Sequence, residues 1–459
     1  MYVLMAVVFV LGYLCIAFEH PLKIDKAAAA ILTAVLCWTL LVLGADSLVP
    51  PLLPDSHGSG DASAVVVEAL RHHLGEISEI LFFLLGAMTI VELIDSHEGF
   101  KVITDRIQTR KRVHLLWIIG FLTFFLSAAL DNLTTTIVMV SLLRKLIRGR
   151  PERWLFVGVV VIAANAGGAW SPIGDVTTTM LWIGNQITAS GVIAGLFLPS
   201  LVCLLVPLLI LSFRLRGEVP RPRARAHLAE RNPPATTAFE RNMVLALGLS
   251  ALVFVPIFKT VTHLPPYMGI LFGLGVLWVA TEWLHRHKED HHKHPLSVVG
   301  LRKVDTPSVL FFLGILLAVA ALATAGHLTQ VATALRESLG HIYPINYSIG
   351  LLSAVVDNVP LVAGSMKMYP LVDPATLATA APGETAWLSH FVVDGNFWEM
   401  LAYCAGTGGS TLIIGSAAGV AAMGMEKISF TWYLKRVSLL AFLGYTAGAV
   451  TYIGMLALR

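Results

Sequence analysis

Apolar residues run along this chain in long blocks separated by short polar stretches, on the scale of a bilayer crossing rather than of a soluble core. A hydrocarbon core takes about 20 apolar residues of helix. Segments 1–18, 27–45, 76–95, 154–185, 191–213, 242–258, 266–284, 307–325, 389–425 and 431–458 are candidates on that scale. Two further apolar segments, 113–143 and 344–369, each carry an Asp-Asn pair at the middle: Asp131-Asn132 and Asp357-Asn358. The polar stretches divide by charge. Residues 101–112, 144–153, 214–241 and 285–303 are basic, whereas 46–73 is acidic and proline-rich and 370–388 leans acidic. By the positive-inside rule the basic loops are cytoplasmic. Segment 113–143 then has cytoplasmic loops at both ends, so it enters and returns on one side as a re-entrant hairpin. Segment 344–369 is flanked by outer loops and opens outward. Such irregular backbone at membrane depth needs protein or a wet cavity around it.

The two halves carry matching marks in the same order. Ile80-Leu-Phe-Phe-Leu84 resembles Val309-Leu-Phe-Phe-Leu313. Ser127-Ala-x-x-Asp131-Asn132 matches Ser353-Ala-x-x-Asp357-Asn358, and Gly167-Gly168 with Gly174 matches Gly408-Gly409 with Gly415. Three marks in order argue for duplication. Each half holds five spans and one hairpin, and an odd number of spans inverts the second copy. The expected fold is an all-α polytopic membrane protein of about ten transmembrane helices and two re-entrant hairpins, built as an inverted repeat with broken helices. Its parts are 1–216 (hairpin 113–143, broken helix 154–185), a basic linker 217–241, and 242–459 (hairpin 344–369, broken helix 389–425). Inverted repeats with helices interrupted at the midplane mark secondary transporters.

Composition agrees: of the 459 residues 56% are hydrophobic and 13% charged, against roughly a quarter charged in soluble domains. The formal net charge of +3 sits in short loops, so it reads as topology rather than as a nucleic-acid surface. Cys15, Cys37, Cys203 and Cys404 lie inside apolar stretches without metal or disulfide spacing, as small packing residues. Met1 to Phe18 lacks a basic leader and a cleavage site and is expected to be a retained first helix.

The chemistry lies at the interruptions. A mid-membrane Asp is expensive, roughly 3 kcal/mol on insertion scales. In the first hairpin Asp131 stands among Asn132, Thr134 and Thr135, an oxygen-rich set of the kind hard cations take. Asn165-Ala-Gly-Gly-Ala-Trp-Ser-Pro-Ile-Gly-Asp175-Val-Thr177-Thr178 cannot form one continuous helix. Asp175 just beyond the break supplies a second carboxylate, or caps the second half-helix, and both can hold together. The second half offers Ser353, Asp357, Asn358 and Ser410. There Ser416 stands where the first half has Asp175, so the cation is expected nearer Asp131 and Asp175, with Asp357 a further ligand or proton carrier. A bound Na+ would then rest on Asp131, Asn132, Asp175 and Asp357. Glu76 and Glu92 are candidate proton relays, or helix-end charges. His285 to His294 is a solvated loop or a pH-sensitive one.

At these residues the chain resembles the NhaD-type sodium/proton antiporters of the ion transporter superfamily, from about Leu74 to the C-terminus. The resemblance implies exchange of Na+ or Li+ for H+ in a bacterial inner membrane, with pH homeostasis as the purpose, no cofactor, an elevator-like fold and a homodimer. It implies roles for Asp131, Asn132, Asn165, Asp175, Thr177, Thr178, Ser353, Asp357 and Asn358. The alternative is a sodium-coupled dicarboxylate symporter of the same superfamily, whose hairpins carry neutral residues where this chain has Asp131 and Asp357; an oxyanion exporter shares only the fold. An enzyme is not expected: neither His-Glu-x-x-His nor Gly-x-Ser-x-Gly occurs, the marks of a metalloprotease or a serine hydrolase.

Overall fold

In the computed structural model the described residues are 1–17, 19–48, 62–104, 107, 109–219, 236–286 and 304–458, and they form α-helices joined by turns. The acidic stretch 49–61, the linker 220–235 and the histidine run beyond Arg286 lie outside them. Among them eight helices are long and apolar enough to cross a membrane, and every span expected from the sequence contains helix, with 154–185 and 389–425 broken at 170–175 and 409–416. The chain is an all-α polytopic membrane protein.

The first half contains α1 (Tyr2–Ala17), α2 (Lys26–Leu43), α3 (Ala62–Ser96), α4 (Arg112–Leu130), α5 (Asn132–Leu146), α6 (Arg150–Ala169), α7 (Val176–Ile183) and α8 (Ala189–Arg214). The second contains α9 (Ala238–Thr262), α10 (Pro266–His285), α11 (Thr306–Thr324), α12 (His327–Leu339), α13 (Ile342–Leu352), α14 (Asn358–Met368), α15 (Asn396–Gly408), α16 (Ala417–Glu426), α17 (Phe430–Arg436) and α18 (Ser438–Ala457). Two departures from the expected pattern have local causes. Helix α3 starts well before Glu76; its first turns carry Glu68 and Arg71, which face water, so a reading by apolar spans stops short of them. Helix α12 lies in a stretch too polar to register as a span, and only Leu328 and Ala332 of it are buried.

Packing follows the same plan in both halves. Helices α1 and α2 pair, as do α9 and α10; α2 lies against α11, and α10 against α3. Helices α4 and α5 pack on α6, and α13 and α14 on α15, while α6 meets α15 and α8 meets α18 across the halves. The glycines explain how closely the interrupted helices approach. A Cβ on Gly167 would run into the Phe124 carbonyl, and one on Gly408 into the Gly350 carbonyl. Two serines fasten the same contacts: Ser127 Oγ donates to Ala164 O at 2.6 Å, and Ser353 Oγ to Ala405 O at 2.9 Å. Large apolar side chains such as Val261, Phe272, Val279 and Trp283 face outward, as a lipid-facing surface requires. At one end Glu426, buried at the end of α16, accepts from Arg144 Nε of α5 at 2.6 Å and Arg153 Nε of α6 at 2.7 Å. That carboxylate ties the two halves together.

Candidate functional site

Four half-helices begin at the centre of the molecule, and each is capped by a polar side chain from the sequence motifs. Asp131 accepts from Thr134 N at 2.8 Å, Asp175 from Thr177 N at 2.9 Å, Asp357 from Val359 N at 3.3 Å and Ser416 from Gly419 N at 3.2 Å. These are N-caps, which satisfy otherwise unpaired N–H groups. A helix N-terminus carries about half a positive charge. Four such ends around one point make an anion site unless something reverses the sign, and here three of the four caps are carboxylates.

Asp175 is the hub. Its Oδ1 accepts from Thr177 N and Thr177 Oγ, both at 2.9 Å, and its Oδ2 from Asn132 Nδ2 at 2.7 Å. Asn358 Nδ2 approaches the two oxygens at 3.4 and 3.5 Å. Asn132 Nδ2 also donates to Asn165 Oδ1 at 3.0 Å, and Asn165 Nδ2 donates to Ser410 Oγ and Ser416 Oγ, both at 2.9 Å. One buried network therefore joins both Asp-Asn motifs to both broken helices. Asp175, Asn165, Asn132, Asn358, Ser410 and Ser416 are all buried.

Asp131 lies beside this network. It holds φ 104° and ψ 158°, a region of backbone space essentially reserved for glycine. Its second oxygen accepts from Thr134 Oγ at 2.8 Å. With Asn132 and Thr134 it lines a cavity of about 60 Å³ that Phe83 and Phe312 also line, room for a water molecule or a small cation. Asp131 and Asp357 are both within electrostatic reach of Asp175. Asp357 faces Tyr13 of α1.

The other candidates divide. Thr135 Oγ is buried and has no hydrogen-bond partner among the described residues. Thr178 Oγ donates to the Asp175 carbonyl at 2.9 Å, a backbone role. Ser353 is occupied by Ala405 O, as above. Glu76 stands apart from the network in an outer cavity of about 480 Å³ shared with α7 and α14, paired with Lys367 at 2.7 Å and His73 at 3.1 Å. Glu92 lies farther along α3 and accepts from Ser96 at 3.4 Å. Ser416 enters the network although the sequence reading left it off the ligand set. Its correspondence with Asp175 across the halves was the available signal. Among the described residues no three His, Cys, Asp or Glu side chains form a metal cage; the oxygens here come from aspartates, amides and hydroxyls.

Broken helices meeting end to end at a polar centre inside an apolar bundle define a membrane transporter rather than an enzyme. Residues 13–389 match the citrate transporter family. The chain is 48% identical over 99% of its length, and 72% of the relative's, to sodium/proton antiporter 1 of Arabidopsis thaliana. It is 46% identical over 98% of its length, and 99% of the relative's, to sodium/proton antiporter 2 of the same plant. It is 31% identical over 97% of its length, and 90% of the relative's, to the Na(+)/H(+) antiporter NhaD of Vibrio cholerae. The chain belongs to the citrate transporter family and, within it, to the NhaD-type sodium/proton antiporters.

Proposed function

We propose that this protein exchanges Na+ or Li+ for H+ by competition at the site around Asp131 and Asp175. The observation that carries the proposal is the charge at the four converging helix N-termini. Three aspartate caps turn an arrangement suited to an anion into one suited to a cation. The same scaffold with neutral caps would favour a dicarboxylate, so the match to a citrate-transporter profile and the antiporter names of the relatives are compatible. Three carboxylates in one low-dielectric region repel a dicarboxylate and do not favour the symporter reading.

In this mechanism the empty site holds protons, a cation entering from one face displaces them, and protonation from the other face displaces the cation. Asp131 and Asp175 carry the exchange, with oxygens from Asn132, Asn358 and Thr135. Asp357 adds negative charge. The re-entrant hairpins and inverted repeat suggested by the sequence would let the site open to each face in turn. That reading is supported by the parallel packing of α4–α7 and α13–α16. We place the protein in a bacterial cytoplasmic membrane as a homodimer serving pH homeostasis, on the resemblance to bacterial NhaD proteins; membrane fractionation, light scattering and growth of a deletion strain at alkaline pH test the three points in turn.

The direct test is proton release. Sodium or lithium added to purified protein in weak buffer should acidify the solution stoichiometrically, and succinate should not. Sodium binding that occurs only with succinate, without acidification, would overturn the proposal.

A further inference from the structure

Behind the second hairpin lies a cavity of about 460 Å³ that shares no lining residue with the network around Asp175. Its walls include Val10 and Leu14 of α1, Val331 and Leu335 of α12, Leu352 of α13 and Leu361 of α14. Helix α1 packs chiefly on α2, which leaves a gap between α1 and the hairpin helices. The lining is apolar apart from Tyr13, Ser348 and Ser365, and Ser365 Oγ already donates to the Leu361 carbonyl at 2.8 Å. Gly364 marks open space within: a Cβ built there would meet only Met368 Cε, at 3.9 Å.

Water is a poor occupant of such a space, because it needs two to four polar partners and apolar cavities stay dry. Nothing at all in the space would forfeit the dispersion contacts of the lining atoms. The surroundings decide what enters. Val10, Leu14, Val331 and Leu352 line the cavity and are also 44–55% exposed, so it opens on the apolar outer surface that continues along α1 over Val3, Val7 and Leu11. A single turn of helix about 10 Å across and 5.4 Å tall takes about 420 Å³, so a helix of a second copy or of another protein does not fit, whereas a narrow unbranched chain does. Helix α12 sets the depth. Thr329, Gln330, Thr333 and Glu337 are on its exposed face, and Leu328 and Ala332 on its buried one, the pattern of a helix lying among lipid headgroups. Next to it Arg336 stacks over Trp387 at 4.6 Å, and tryptophan is enriched at that level. The space under α12 is then at acyl-chain depth.

We propose that this cavity is a seat for one acyl chain of a bilayer phospholipid, inserted under α12 between α1 and the second hairpin. Val356 and Pro360, on either side of Asp357-Asn358, line it, and Tyr13 of its wall faces Asp357. Lipid thereby completes the packing behind the cap of α14. Beside Asp131 in the first hairpin, by contrast, Phe83, Leu252 and Phe312 leave a cavity of only about 60 Å³. The seat stands apart from the cation/proton exchange proposed above, and its occupancy is measured without any ion gradient.

The test is photolabelling of the full-length protein in phosphatidylcholine vesicles that contain a phosphatidylcholine with a diazirine on its acyl chain, followed by digestion and mapping of the labelled residues. Lipid-facing Val279 and Trp283 of α10 should be labelled in every sample and serve as the reference. Leu328 and Ile349 line the cavity and are buried, so they should be labelled only if an acyl chain enters it. Gly364→Leu puts a side chain into the open space, and labelling of Leu328 and Ile349 should fall about tenfold, the equivalent of about 1.4 kcal/mol, with the α10 label unchanged. If loss of the α10 pattern shows that this variant does not fold, Ser348→Leu fills the cavity from α13 and the same fall is expected. Absence of label at Leu328 and Ile349 in the unsubstituted protein would overturn the proposal. So would label that persists in the filled variants, or cross-links from Val331→Cys to a second copy of the protein in place of lipid.

Discussion

Replacing Asp131 by glycine separates what the residue does for the fold from what it does for transport. Its backbone sits at φ 104° and ψ 158°, a conformation that costs an L-residue about 1–3 kcal/mol and glycine nothing comparable. Against that relief stand three losses. The cap of α5 weakens by a few tenths of a kcal/mol when glycine replaces aspartate. The hydrogen bond to Thr134 Oγ at 2.8 Å is worth about 1 kcal/mol. Glycine also gives up about 0.5–1 kcal/mol of unfolded-chain entropy. The terms nearly cancel, so Asp131→Gly should melt within a few degrees of wild type. Asp131→Ala keeps the strained backbone and loses the cap, so it should be the less stable of the two by about 1–3 kcal/mol. Both should lack sodium-driven proton movement, because both lack the carboxylate. Thermal unfolding in detergent and exchange in proteoliposomes measure the two halves of the prediction. A glycine variant that still exchanges sodium for protons would refute the role of Asp131, and one less stable than the alanine variant would refute the backbone reasoning.

Asp175→Asn removes a carboxylate charge from the centre of the network and replaces one of its acceptor oxygens by an NH2 group. Sodium affinity should fall by about two orders of magnitude, the loss of about 3 kcal/mol of charge-assisted interaction, measured by sodium titration of proton release. Gly167→Ala and Gly408→Ala should each lower stability by about 1–3 kcal/mol through overpacking and reduce transport. Gly424→Ala, with nothing near its Cβ direction, should be neutral or slightly stabilising in the same melts. Glu426→Ala strands Arg153, whose side chain is only 12% exposed, and should cost about 3–5 kcal/mol; a thermal midpoint unchanged from wild type would contradict the clamp.

Much of this arrangement is legible in the sequence because the expensive residues announce themselves. Aspartates and paired glycines inside apolar segments have few structural uses in a membrane. The structure makes Asp175 the cap that its position after the break allowed, but also makes caps of Asp131 and Asp357, and it keeps Gly167 and Gly408 inside helices as points of close approach. The partners of those residues were less legible. Which oxygen Asn132 offers, and that Asn165 spends every polar atom on protein neighbours, depends on distances across more than 240 residues of chain, as between Asn165 and Ser410 (|i−j| = 245). Ser353 looked like a ligand from its motif, yet its hydroxyl is committed to the Ala405 carbonyl. Helix α12 escaped notice because span-finding reads hydropathy, and an amphipathic surface helix has little. The clamp of Glu426 with Arg144 and Arg153 was hidden because each residue looks like an ordinary loop charge in its own segment.

The central claim is cation/proton exchange at a site where aspartates reverse the sign of four helix ends. Proteoliposomes holding the purified protein and a trapped pH dye, acid inside, test it when sodium, lithium, potassium or succinate is added outside. Alkalinisation of the lumen by sodium or lithium, absent in Asp131→Gly and Asp175→Asn, is the predicted result. No response to any cation, with sodium-dependent uptake of succinate instead, would contradict it.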